Sequence, residues 1–137
     1  MRALTAFASA ALLAAAAVPV AAHHSFAAEY DANKPVTLHG SVVRVEWTNP
    51  HARFYIDVKE ADGSVATWNL ELASPNVLVR QGWTRSSLKI GDEITVSGSA
   101  AKDGSKMANA RNVTLAGGKR VFAGSPAGDP GAAPEAK

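Results

Sequence analysis

Two adjacent histidines follow a candidate export signal near the start of the chain. Residues 1–22 carry Arg2 and then an Ala/Leu-rich apolar run, and they end in the small residues that a signal peptidase prefers. Cleavage after Ala22 would make His23 the first residue, with His24 directly behind it. A free amine beside two imidazoles supplies nitrogen donors of the kind that copper(II) favours. The sequence therefore predicts a binding site for copper or a similar metal ion at the processed N-terminus.

His51 is the candidate third metal ligand. It follows Asn49 and a proline, a pair typical of a turn, in the loop between the first two predicted strands. Loops held on a rigid scaffold often carry binding residues. The alternative is that Asn49 and His51 only hydrogen-bond the turn. The terminus reaches this loop only if residues 23–35 run back along the barrel or the first strand bends sharply.

Asp31 and an outward row of side chains are further candidate binding residues. The carboxylate of Asp31 could ligate a metal or orient a histidine, or it could simply be solvated. On the first two predicted strands, Arg44, Arg53 and Tyr55 lie on the outward phase. This row favours a second class of function, a metal-free envelope protein-interaction module that uses the barrel face. Glu71 also points outward by alternation, where it could pair with Arg53 or with Arg44 across the sheet.

The composition excludes several kinds of chemistry. The 137 residues include no cysteine, which removes thiolate nucleophiles, Cys-type zinc sites and iron–sulfur ligation. A net charge of +2 is too balanced for a nucleic-acid partner. We find no G-x-S-x-G motif, phosphate loop or dinucleotide fingerprint, and we predict no catalytic residue. The apolar run of roughly a dozen residues is shorter than the 20 needed to span a bilayer, which predicts a periplasmic protein with no membrane span after processing.

Alternating apolar residues predict an all-β fold that positions these side chains. The expected order is three strands, a short helix over Asn76–Gln81, and two more strands, with a further short strand at 119–122. The apolar phase slips near Gly40, which predicts a β-bulge there. This order is typical of a small five-stranded OB-like barrel with one short helix between strands 3 and 4. A flattened β-sandwich is the alternative architecture.

The chain divides into four predicted segments. These are a signal peptide at 1–22, an extended N-terminal lead-in at 23–35, an OB-like barrel domain at 36–122, and a disordered Gly/Pro/Ala tail at 123–137. Trp47 and Trp68 fall on the inward phase of their strands and are expected in the core. Trp83 follows a helix-ending glycine and is expected to plug one end of the barrel.

Several motifs together resemble one known family. They are HHSFAAEYD after the signal, then WTNPH, RQGWT, LKIGDEITVSG and KDGSKMANARNVTL. The set is similar to a family of small exported Gram-negative bacterial proteins of unknown function, and it runs from His23 to about Phe122. The resemblance implies an envelope location and a β-rich single domain, and it carries no agreed activity. The LKIGDEITVSG segment also looks like the entry to the fourth strand of exported bacterial OB-fold proteins.

Overall fold

The alternating segments form strands that wrap around a shared apolar interior. The computed structural model describes residues 26–124. Within this range the elements are, in chain order, α1 (Phe26–Glu29), β1 (Tyr30–Glu46), β2 (Arg53–Lys59), β3 (Val65–Glu71), α2 (Pro75–Arg80), β4 (Glu93–Ala101), β5 (Met107–Thr114) and β6 (Arg120–Phe122).

Five of the strands close into a ring. β1 pairs antiparallel with β2 on one side and with β4 on the other, β2 pairs with β3, and β4 pairs with β5. A short parallel pairing of Asn69–Glu71 with Met107–Asn109 joins β3 to β5 and closes the ring. The prediction of an all-β barrel with one short helix between strands 3 and 4 is confirmed, and β6 adds a sixth strand beside β5.

The segment after β6 completes the barrel wall beyond the short β3–β5 pairing. The backbone N–H of Ala123 donates to the carbonyl of Arg111 at 2.7 Å, and its carbonyl accepts from the N–H of Ala73 at 2.9 Å. Ala123 is fully buried. The boundary of the predicted tail at residue 123 is therefore corrected, because residue 123 belongs to the core. Residues 125–137 lie outside the described range.

The bulge in β1 lies at Val43, not at Gly40 as predicted. The β1–β2 register shifts between Val42 and Arg44, so that Val42 is fully buried and Val43 points to solvent. Gly40 remains in regular register opposite Val58. A glycine is needed there because a Cβ atom would lie 2.2 Å from the carbonyl oxygen of Asp57.

The first strand begins earlier than the sequence indicated. Tyr30 already pairs with Ala101 of β4, and the regular pairing resumes at Pro35 with Ser99. The intervening residues 31–34 bulge out of the ladder. The part of the predicted lead-in from residue 30 onward therefore belongs to β1, and it wraps the strand around the barrel toward the β4–β5 end.

The helix α2 caps the core between β3 and β4. The side chain of Ser74 accepts a hydrogen bond from the N–H of Val77 at 3.4 Å, and Pro75 occupies the first turn, as predicted. Leu78 is buried, and its carbonyl accepts from the N–H of Trp83 at 2.9 Å. Trp83 is 3% exposed and so is the most buried of the three tryptophans.

The other two tryptophans are less buried than predicted. Trp47 and Trp68 are only partly buried and pack against the outside of the core cluster. Trp68 lies on β3 before its pairing with β5 begins, so no neighbouring strand covers it on that side. The side chain of Lys106 covers it instead, with Nζ 5.1 Å from the ring centroid.

Candidate functional site

A buried carboxylate is the centre of the polar cluster at one end of the barrel. Glu71, at the end of β3, is 7% exposed and is the one charged residue that is buried among residues 26–124. Arg53 lies directly opposite on β2, and its Nη2 donates to Oε2 of Glu71 at 2.6 Å. The predicted pairing of these two side chains across the sheet is present. A charged group at this depth needs such a partner because burial removes its hydration.

Tyr30 covers the same carboxylate from the start of β1. Its hydroxyl donates to Oε2 of Glu71 at 3.0 Å, and its side chain is 2% exposed. Burial raises the pKa of Tyr30 above its ordinary value, and the charge of Glu71 and the hydrogen bond to it raise the pKa further. The hydroxyl therefore keeps its proton at neutral pH and acts as a hydrogen-bond donor.

The loop between β1 and β2 places His51 on the other oxygen of Glu71. Next to His51, Ala52 exchanges backbone hydrogen bonds with Leu72 and Ala73, which fixes the loop against the end of β3. Nδ1 of His51 lies 3.2 Å from the carbonyl of Leu72 and 3.9 Å from Oε1 of Glu71. A carbonyl only accepts, so Nδ1 is the donor in this hydrogen bond, and Nε2 is the ring nitrogen left for another partner.

The start of β1 lies close to the β1–β2 loop, because Tyr30 and His51 share one carboxylate neighbour. Tyr30 and His51 contact the two oxygens of one carboxylate, at 3.0 and 3.9 Å. The long first strand curves around the barrel, so the start of β1 returns to the level of the β1–β2 loop.

A second polar group lies beside this cluster on the outer face of β1 and β2. The guanidinium of Arg44 lies 3.9 Å from the ring centroid of Tyr55 and 2.9 Å from Oε1 of Glu46. The hydroxyl of Tyr55 donates to Oε2 of Glu46 at 3.4 Å. Arg53 lies next along β2 and also donates to Asn69 at 3.3 Å. The predicted outward row of Arg44, Arg53 and Tyr55 is therefore present and held by internal contacts.

Within residues 26–124, the remaining predicted site residues do not lie together in one site. Asn49 is exposed in the β1–β2 loop. Asp31 lies in the irregular segment 31–34 of β1, where its carboxylate accepts from the N–H of Asn33 at 2.9 Å. His23 and His24 lie outside the described residues. Within residues 26–124, no three His, Cys, Asp or Glu side chains are grouped closely enough to hold a metal ion.

A comparison with known families places the chain. The model of the family of unknown function DUF6152 matches residues 10–110, which is more than half of the sequence. The chain belongs to DUF6152. It matches no curated protein and no solved structure. Between Phe26 and Gly124, no helix is long and apolar enough to cross a membrane.

Sequence reasoning about this DUF6152 chain did not include Tyr30 and Glu71 among the site residues. The alternation on β3 predicted that Glu71 points outward, but it did not predict that the side chain is buried. The residue that covers it, Tyr30, is 41 positions away in the sequence. An acidic residue opposite an arginine on a neighbouring strand was the available signal. That signal predicted the pairing of Glu71 with an arginine but not the contact with Tyr30.

Proposed function

We propose that this protein is an exported, periplasmic binding or accessory protein that binds copper(II) or a similar ion through its processed N-terminus and His51. The observation that carries the proposal is the shared contact with Glu71. Tyr30 lies at one oxygen of Glu71 and His51 lies near the other, and this closeness of the start of β1 to His51 supports the proposal.

The chemistry of His51 supports this proposal. A histidine that ligates a metal usually donates its second N–H to a carbonyl or carboxylate, which fixes the tautomer and orients the ring. Nδ1 of His51 has both kinds of acceptor close by, the carbonyl of Leu72 and the carboxylate of Glu71. The side chain is 39% exposed, so an ion can reach Nε2 without opening the barrel.

Export and the OB-type architecture belong to the same proposal. Arg2, the apolar run and the small residues before His23 support a cleaved signal. The ring order β1–β2–β3–β5–β4, with α2 between β3 and β4, supports a likeness to OB barrels, which bind ligands on the outer face and loops beside strands 2 and 3.

The terminal amine gives the sharpest test of the metal site. We expect mature protein that begins at His23 to bind one copper(II) ion, measured by titration calorimetry and by electron paramagnetic resonance. A form with Gly-Ser-Gly-Ser added before His23, which keeps both histidines away from the third position behind the amine, should lose more than the roughly 10–100-fold in affinity that follows loss of an orienting partner, because it loses the adjacent amine ligand itself. His51→Ala should lower the affinity at least tenfold and change the nitrogen hyperfine pattern.

His39→Ala is the matched control. His39 is also a surface imidazole, 70% exposed, and its Nδ1 lies 3.1 Å from the hydroxyl of Thr95 on the β1–β4 face. Its removal should leave copper affinity unchanged. Equal affinity of the authentic and extended proteins would contradict the role of the terminal amine, and unchanged affinity in His51→Ala would contradict the location of the site.

The outer face of β1 and β2 favours a second candidate function, the binding of an envelope protein without metal. The specific observation is the Arg44–Tyr55 stack at 3.9 Å, in which the side chain of Arg44 stays 57% exposed. Arginine and tyrosine are the residues that most often dominate protein interfaces, and here they are already held in one conformation.

A photo-crosslinker on the same face of β2 as this stack tests the second candidate. With the crosslinker at Lys59, we expect a discrete adduct in an envelope extract that disappears when Arg44→Glu reverses the charge of the stack. Arg85→Glu, an exposed arginine in the turn after α2, is the control and should keep the adduct. An adduct that survives Arg44→Glu would contradict the use of this face.

A further inference from the structure

We propose that the open edge of β3, residues 65–68, is a self-association surface on which the same edge of a second copy of this chain adds as an antiparallel strand. β3 pairs with β2 along its whole length, but its pairing with β5 begins only at Asn69. Within residues 26–124, no strand pairs with the preceding part of β3 on that side. An unpaired edge of this kind is a template for a further strand.

The backbone of this edge presents two residues for pairing. The N–H of Asn69 donates to the carbonyl of Lys106 at 3.0 Å, so Asn69 directs its backbone groups toward β5. Alternate residues of a strand direct their backbone N–H and C=O groups to the same side. Thr67 and Val65 therefore direct theirs to the same side as Asn69, ahead of the point where β5 begins to pair. These groups are the donors and acceptors that an added strand would use.

The spacing of these two residues makes the edge complementary to itself. When two copies run antiparallel about a twofold axis through Ala66, Val65 of each copy lies opposite Thr67 of the other. Each of these pairs exchanges two hydrogen bonds, so the two copies form four. Ala66 then lies opposite its own equivalent as a non-hydrogen-bonded pair, in which the Cα atoms are about 4.5 Å apart. A second copy therefore pairs all of these backbone groups without any other chain.

The side chains along the edge favour such pairing. Residues 64–68 are Ser, Val, Ala, Thr and Trp, with none of the charges or prolines that commonly protect a sheet edge. Val65 is 64% exposed although it is apolar, and Thr67 is exposed on the same face of the strand. The added strand would place Val65 directly across from Thr67 of the other copy. The pairing is short, so we expect a weak dimer with a dissociation constant of about 0.1–1 mM.

Thr67→Pro tests this surface because proline lacks the N–H and its ring projects toward the open edge. The ladder with β2 keeps its hydrogen bonds, since the lost N–H points away from β2. Thr67→Val is the matched control. It also loses the hydroxyl that donates to Oδ1 of Asp57 at 2.6 Å, but it keeps the N–H. In sedimentation velocity up to about 1 mM protein, Thr67→Val should dimerise like the wild type and Thr67→Pro at least about tenfold more weakly.

A single cysteine gives a second measurement that does not require the strand to tolerate proline. The chain has no cysteine, so Ala66→Cys introduces one thiol at the proposed axis. The expected Cα separation lies within the range that a disulfide spans. Oxidation of the metal-free protein should therefore yield dimer at least about tenfold faster than for Ser86→Cys, an exposed position in the turn after α2.

Two results would overturn the proposal, and neither depends on copper binding. A wild type that stays monomeric at about 1 mM, with equal rates of disulfide formation at positions 66 and 86, would show that the chain does not self-associate through this edge. Equal dissociation constants for Thr67→Pro and Thr67→Val would exclude the edge as the interface of any dimer that forms.

Discussion

Gly98→Ala should destabilise the protein by about 3 kcal/mol or more, because the new methyl group has no space. Gly98 lies in β4 opposite Ala110 of β5, and a Cβ atom there would be 1.9 Å from the carbonyl oxygen of Asn109 and 2.9 Å from its carbon. Both contacts are with backbone, which cannot rotate away as a side chain can. The β4–β5 ladder would have to separate at the point where its register already shifts, between Ser97 and Gly98.

Thermal unfolding followed by circular dichroism measures this effect. A loss of 3 kcal/mol lowers the melting temperature of a domain of this size by roughly 12–24 °C. Gly117→Ala is the control, since a Cβ atom at that position meets nothing within 4 Å. If the Gly98→Ala and Gly117→Ala proteins had the same melting temperature, the close approach of β4 and β5 would be contradicted.

Glu71→Ala should cost about 3 kcal/mol of unfolding free energy, which makes Glu71 the most sensitive of the exterior-facing side chains. The substitution leaves the guanidinium of Arg53, 27% exposed, without its closest partner and leaves the buried hydroxyl of Tyr30 without an acceptor. The loss is less than for a fully buried ion pair because water still reaches Arg53. Urea unfolding, read as a lower midpoint, measures it.

Glu46→Ala provides the comparison for that experiment. Glu46 also contacts an arginine and a tyrosine, Arg44 at 2.9 Å and Tyr55 at 3.4 Å, but its side chain is 37% exposed. Its loss should therefore cost below about 1 kcal/mol. Similar losses for the two glutamates would mean that burial adds nothing to the Glu71 cluster.

Local alternation explains why the strands and the inward residues could be predicted. Phe54, Ile56 and Val58 alternate with polar residues along β2 and are buried, and Ile94 and Val96 do the same on β4. A two-residue period is a property of neighbouring residues, so a single sequence displays it directly. The barrel followed from the order of these segments and the position of one helix.

The misplaced bulge shows where local patterns lose information. Val42 and Val43 are equivalent in chemistry, and either could have been the inward residue. Only the register against β2, which shifts between Val42 and Arg44, decides that Val43 turns outward. The bulge was predicted at Gly40 because glycine is common at bulges. In the structure, Gly40 instead leaves space for the carbonyl oxygen of Asp57.

The site was only partly predictable because its parts come from distant positions in the chain. His51 and Arg53 were recognised from a turn signal and an outward phase, both local features. The burial of Glu71 depends on Tyr30, which looked like part of a solvated lead-in. Nothing in residues 30–35 indicates that the first strand includes them and brings an aromatic side chain across the barrel.

The long first strand also determines how this protein must fold. The N-terminal half of β1 pairs only with β4, and a pair such as Leu38 and Val96 is separated by 58 residues. Closing so long a loop costs chain entropy before any ladder contact repays it, and topologies of this kind fold in milliseconds to seconds. During synthesis, β1 has no β4 to pair with until about two thirds of the chain has emerged, so truncated chains that stop before β4 cannot complete the ring.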